Sequence, residues 1–239
     1  PMMEDFTTNV TTSPCWQEAK GLLSNNITLD YSSSGWGHST GEARVNVYGT
    51  DRQEWLITPQ IDLGEEGTLY ELSLKVALAE YYDNIAPEPA PDDKFAIVIS
   101  TDGGITWSSE NALIFADGDD DVAHNYSDFT NSFVRVTYPL QDAEGNPLTG
   151  LIKVGFYAES TQSNGDNNLF IDDLTIALPT SCAEPVSNSV VVSDITGTSA
   201  TISWTDNDES HTAWNVYYKT EAEEEYFISR FYKIEEEEE

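Results

Sequence analysis

Positive charge is what this sequence has least of: 10 Lys and Arg stand against 43 Asp and Glu among 239 residues, a formal charge of −33. Nucleic-acid binding is not expected, because phosphate recognition by counterion release needs a Lys/Arg footprint. An anionic membrane surface would repel the chain. Long hydrophobic runs are also missing. No stretch approaches about 18 apolar residues, so membrane insertion by a helix is not expected. Cysteine is limited to Cys15 and Cys182. Their wide separation excludes a zinc knuckle or a CxxC redox pair, and leaves open a bridge closing a long loop or two separate thiols. The three histidines, His38, His124 and His211, lie in Gly- or Asn-rich stretches. No H-E-x-x-H, G-x-S-x-G or Cys–His signature occurs. Paired carboxylates are abundant, but among 43 acids chance pairing picks out no glycosidase site. The expectation is a protein that is not an enzyme.

Large apolar side chains, by contrast, are plentiful. Hydrophobic residues make up 39%, with 6 Trp, 12 Tyr and 9 Phe, too many for a disordered acidic polymer. Helical spacing is almost absent. Short runs of period-two alternation recur at 43–48, 71–78, 95–100, 133–138, 152–157 and 169–176. Loops rich in Gly, Asn, Asp and Pro separate them, as at 86–91 and 116–121. Strands at this spacing without intervening helices predict an all-β fold, an antiparallel jelly-roll sandwich.

A boundary is expected where Pro179 and Pro185 flank small polar residues, a short extended linker over 179–185. Residues 1–178 then form the main domain. A new strand rhythm follows at 189–192, 199–204 and 213–219 within a second module, 186–234. That module is too short for a complete sandwich of about 90–100 residues. The five glutamates at 235–239 read as a solvated acidic tail.

The sharpest local signal is Ser100-Thr101-Asp102-Gly103-Gly104-Ile105-Thr106-Trp107. It fits S-x-D-x-G-x-T-W, the Asp-box hairpin turn. Asp102 is expected to accept turn amides, Gly104 to supply a positive φ, and Trp107 to pack back on the hairpin. All three are read as structural residues.

Four segments occur in a telling order: Pro14-Cys15-Trp16, then Glu54-Trp55-Leu56-Ile57-Thr58-Pro59-Gln60-Ile61-Asp62-Leu63, then the Asp box, then Leu169-Phe170-Ile171-Asp172-Asp173-Leu174. Over about residues 4–178 this pattern resembles the MAM-like jelly-roll family of cleaved-adhesin, or choice-of-anchor J, domains. Such domains occur in secreted and surface proteins of bacteria that export through the type IX pathway, including the adhesin regions of gingipains. The stretch from Cys182 through Trp204 to Lys219 is similar to the first strands of a fibronectin type III domain, an Ig-like sandwich that is incomplete here. Residues 226–233 do not match that family's later strands. The resemblance implies a secreted or cell-surface location and a part in cell adhesion. It also implies structural Ca²⁺ where the first and last strands meet, held by Glu4 or Asp5 and by Asp172, since Ca²⁺ takes six to eight oxygens in flexible geometry. On the last strand, strict alternation would put Phe170, Asp172 and Leu174 on one face and Ile171 and Asp173 on the other.

Two further acidic stretches stand out. The run 117–121 superficially resembles an EF-hand loop but has Asp128 where the final Glu belongs, and it reads best as a solvated loop. The stretch 80–93 mixes acids with Tyr81 and Tyr82, rings able to stack on a sugar, or simply residues of a long loop. The N-x-S/T triplets at Asn9, Asn26 and Asn125 read as turn composition.

The function expected is non-catalytic adhesion: attachment to a glycan or protein on a surface. The alternatives are a structural subunit or stalk that contacts copies of itself, and an accessory domain of a larger secreted hydrolase. The net charge favours neutral or cationic partners over anionic ones.

Overall fold

The computed structural model describes residues 2–116, 129–179, 189–196, 199–205, 213–218 and 227–232. Outside them lie Cys182, His124, His211, Asn125, the acidic run 117–121 with Asp128, and the glutamates at 235–239. The chain divides into two units, Pro1–Pro179 and Thr180–Glu239.

In the first unit the apolar runs become strands β1 (Met2–Glu4), β2 (Gln17–Lys20), β3 (Trp36–Ser39), β4 (Glu42–Val47), β5 (Arg52–Ile57) and β6 (Ile61–Asp62). They continue as β7 (Glu71–Glu80), β8 (Lys94–Ser100), β9 (Ala112–Ala116), β10 (Val134–Pro139), β11 (Leu151–Ser160) and β12 (Asn167–Ala177). One sheet runs β10-β7-β12-β4-β3, with β1 added to β12. The other runs β2-β5-β11-β8-β9, with β6 added to β11. The pairings are antiparallel throughout. The fold is therefore an all-β antiparallel sandwich of the jelly-roll kind.

Alternation places the core. Leu72, Leu74, Val76 and Leu78 of β7 point inward beside Leu169 and Ile171 of β12. They meet Phe95, Ile97 and Ile99 of β8 and Val154 and Phe156 of β11 in one cluster between the sheets. Burying side chains of this size stabilises by roughly 1.5–3 kcal/mol each.

The second sheet is covered on its other face as well. Trp55, Ile57, Ala96, Val98, Trp107 and Tyr157 form a separate cluster there, roofed by Leu23, Ile27 and Leu29. For this reason β8 is buried continuously from Phe95 to Ser100. The alternation expected at 95–100 gives way to burial on both sides, as in any strand covered from above and below. Trp107 is fully buried, its ring 5.4 Å from that of Trp55. It clusters with Ala96 and Val98 of its own hairpin and also lies against β11 at Gly155. A Cβ on Gly155 would stand 2.8 Å from the Trp107 ring and 3.0 Å from that of Trp55. Reciprocal backbone bonds between Ile27 and Trp107, 2.7 and 2.9 Å, tie the roof to the indole.

The last strand departs from strict alternation. Asp172 pairs with Lys75 and Thr175 with Ser73, so Asp173 and Leu174 together face Leu74 of β7. This is a β-bulge, with Asp173 at φ 48°. The extra residue moves Leu174 to the core face beside Ile171, and leaves Asp172 with Phe170 on the outer face. The expected grouping of Phe170, Asp172 and Leu174 is corrected accordingly: the aspartate is not on the apolar side.

In the second unit β13 (Val191–Ser193) pairs with β14 (Thr201–Ser203), and β15 (Ala213–Tyr218) with β16 (Phe227–Tyr232). The last of these lies where the fibronectin comparison matched no strand.

The Gly155 contact makes a direct prediction. Gly155→Ala should cost about 1–3 kcal/mol by overpacking, read as an earlier urea midpoint with a changed tryptophan emission. Unchanged stability would mean that the two indoles are not held against β11.

Candidate functional site

With the second sheet roofed, the outer face of the first sheet is left to solvent, and it carries a cleft of about 280 Å³. The floor follows from strand register. Arg44 of β4 stands opposite Phe170 of β12, and Phe170 stands opposite Ala77 of β7. The small Ala77 makes a trough between the Phe170 ring and Phe133, which precedes β10. One wall is the β3–β4 hairpin, with Ser39, Thr40 and Glu42. The other is the chain leaving β7, where Tyr81 is 41% and Tyr82 78% exposed. Their rings meet edge to face at 4.8 Å.

The tyrosine wall is held by its backbone. Oε2 of Glu80 accepts the amides of Tyr82 and Asp83 at 2.8 and 2.9 Å. Tyr81 N donates to Asp166 O, and its carbonyl accepts from Asn168 Nδ2 at 3.3 Å. Asn131 Nδ2 donates to Asn84 O at 3.0 Å, where Asn84 takes a positive φ of 51°. Asn168 also lines the cleft and is 3% exposed. Its Oδ1 has no hydrogen-bond partner among the described residues. A buried carbonyl oxygen left so is costly unless water or a ligand supplies a donor.

The tyrosines singled out in the sequence thus stand at a cleft, but Arg44, Phe133, Asn168 and Phe170 carried no local signal. They lie on different strands or loops, and long-range register alone assembles them.

The Asp box is a separate feature on the opposite side of the sandwich. Asp102 Oδ1 accepts from Ser100 Oγ (2.7 Å), Ile105 N (3.0 Å) and Thr106 N (3.0 Å), and Oδ2 accepts from Thr106 Oγ1 (2.6 Å). Gly104 sits at φ 91° under the Lys153 side chain, and its carbonyl accepts from Tyr31 Oη at 2.6 Å. Partial burial pushes the Asp102 carboxyl up, but the Thr106 and Ser100 hydroxyls and the turn amides outweigh it and bring it down to about 2.

The N-terminal acids reach the bulge. Glu4 pairs in register with Leu174, and its carboxylate accepts the Phe6 amide at 2.9 Å. Asp5 accepts the Thr7 amide and hydroxyl, which lower its pKa. Burial raises the Asp172 carboxyl, with the charges of Asp173 and Asp5 adding to the rise. Asp173 itself is paired with Lys75 (2.6 Å) and Arg135 (3.3 Å). Among the described residues no three Asp, Glu, His or Cys side chains converge as a metal site. Asp5 and Asp172 are two mutually repelling carboxylates that a cation would suit, with carbonyl or water oxygens needed to complete its shell.

No family model matches the sequence, and neither does any curated protein. Solved structures of low sequence identity are similar to it. The K3 cleaved adhesin domain of Lys-gingipain from Porphyromonas gingivalis W83 is 16% identical, with 73% of this chain and 95% of that one covered and a TM-score of 0.44. For the Emp47p carbohydrate recognition domain the values are 11%, 74%, 94% and 0.46. For a xylan-binding module they are 13%, 73%, 97% and 0.36.

Replacing Asp102 with Ala should destabilise by about 1–2 kcal/mol through its orphaned turn amides. The carboxylate's contribution should be full above its ordinary 3.8 and fade as the pH falls toward about 2. Denaturation of both proteins between pH 6 and pH 2 checks this, and a gap that stays constant across that range would refute the assignment.

Proposed function

We propose that the first unit is a non-catalytic, extracellular attachment module that takes a saccharide in the cleft on the outer face of the first sheet. The observation that carries this reading is the exposed Tyr81–Tyr82 pair, fixed by backbone anchors beside the Asn168 oxygen that has no partner among the described residues. A pyranose ring offers an apolar C–H face to an aromatic side chain and a rim of hydroxyls to polar groups. The cleft supplies both kinds of contact, with the Ser39, Thr40 and Asn84 side chains around the rings. Its volume is near the lower end of the roughly 300–1,000 Å³ usual for small-molecule sites, which suits a short stretch of glycan. In the same proposal Asp5 and Asp172 hold a structural Ca²⁺ that ties the first strand to the last, with no part in binding.

Tyr81→Ala with Tyr82→Ala should abolish attachment on a glycan array while leaving the melting temperature nearly unchanged, since Glu80 and the backbone hold the wall. Attachment that survives the double substitution would remove the cleft from consideration.

Exhaustive chelation should lower the melting temperature, because a ligand bound only to the folded state stabilises it by mass action. Asp172→Ala should abolish that response. A melting curve indifferent to both calcium and chelator would dismiss the metal.

A further inference from the structure

The cleft floor holds a charge that no described residue compensates. Of the seven basic side chains before residue 180, Lys20 and Arg52 pair with Glu54, and Lys75 and Arg135 with Asp173. Lys153 donates to Gln17, and Lys94 is engaged as well. Arg44 makes neither an ion pair nor a hydrogen bond among the described residues, although it is half-buried at the cleft floor. In a chain of −33, a partly desolvated guanidinium without a carboxylate among the described residues is conspicuous, because the cost of its burial is offset only by a partner.

The two acids of the cleft are occupied elsewhere. Glu42 accepts from Thr40 Oγ1 at 3.0 Å, and Glu80 accepts the two wall amides. Neither is within 4.0 Å of Arg44 as an ion pair. Beside Arg44 on β3 stands Gly37, where an added Cβ would meet nothing within 4 Å. Open space therefore borders the side chain on that side, and Phe170 flanks it on the other.

We propose that Arg44 determines ligand specificity by receiving the carboxylate of an acidic sugar whose ring lies against the aromatic wall. The inference rests on the saccharide reading above and narrows it to a sugar acid. A planar guanidinium fork matches a carboxylate with two parallel hydrogen bonds. A single fork with Glu42 and Glu80 lining the same cleft suits a monoanion better than a doubly charged phosphate. The net charge argues against anionic partners at long range, but at 0.15 M ionic strength that field is screened beyond about 8 Å. Recognition is then decided by the local contact. A hexuronic acid and a sialic acid present the same group, and the two arms below separate them.

The test is calorimetric titration of the full chain, at physiological salt, with trigalacturonic acid, its methyl ester, sialyllactose and lactose. The acid of at least one pair should bind about tenfold or more tightly than its uncharged counterpart, as a charge-assisted pair implies. Arg44→Gln should remove that preference and leave the weaker neutral binding. Arg44→Lys should keep part of it, since a point charge remains without the fork. The pair that shows the preference names the source of the carboxylate. Equal binding of acid and neutral forms by the unaltered chain, or a preference that outlives Arg44→Gln, overturns the role of Arg44 and leaves the saccharide reading standing. A stronger preference for a sulfated sugar, galactose 6-sulfate against galactose, overturns the carboxylate. Failure of these probes and of a broad neutral glycan array alike overturns the saccharide reading itself, and this inference with it.

Discussion

The contact on which the arrangement turns is that of two indoles over a missing side chain. Trp107 reaches Trp55 only because Gly155 lets them lie against β11. That stack, with its roof at Leu23, Ile27 and Leu29, seals the outer face of the second sheet. A sandwich has two outer faces, and closing one decides where anything else can dock. The Asp box belongs to this sealing apparatus: its hydrogen bonds shape the turn that delivers Trp107. A motif that attracts functional guesses in isolation serves here to position an aromatic lid.

The first sheet, free on its outer side, is organised by side-chain size. Ala77 is small where Phe170 and Phe133 are large, so the face is troughed rather than flat. The walls come from two turns, the β3–β4 hairpin and the exit of β7. The second of these is the better anchored, with one glutamate carboxylate capping two amides. Exposed rings on such a backbone would have little ordering left to do on meeting a ligand, which is where much of the cost of binding otherwise falls.

Much of the fold was legible because period-two alternation reports burial of one face. The expected runs at 71–78, 152–157 and 169–176 became β7, β11 and β12, each somewhat longer than its pattern. Alternation misled in two places, for different reasons. At 95–100 the strand is covered twice, so polarity no longer marks a side. At Asp173 an extra residue resets the count, which no pattern within β12 announces. Short strands such as β2, β3 and β6 hold too few residues to show a period. Of the cleft, the adjacent tyrosines were conspicuous in the sequence. Arg44 and Phe170 were not: they are 126 residues apart along the chain and become neighbours only through the pairing of β4 with β12.

The bulge in β12 has a consequence for how the strand can change. Before it, Asn168 and Phe170 belong to the cleft; after it, Leu174 and Ile176 register with Glu4 and Met2 of the opening strand. Because the count restarts at Asp173, the two halves obey separate phase rules. An insertion or deletion absorbed at that joint can be accommodated without turning the other half inside out. The joint works as a slip coupling, letting the half that lines the cleft diversify while the fastening half keeps its grip on the first strand.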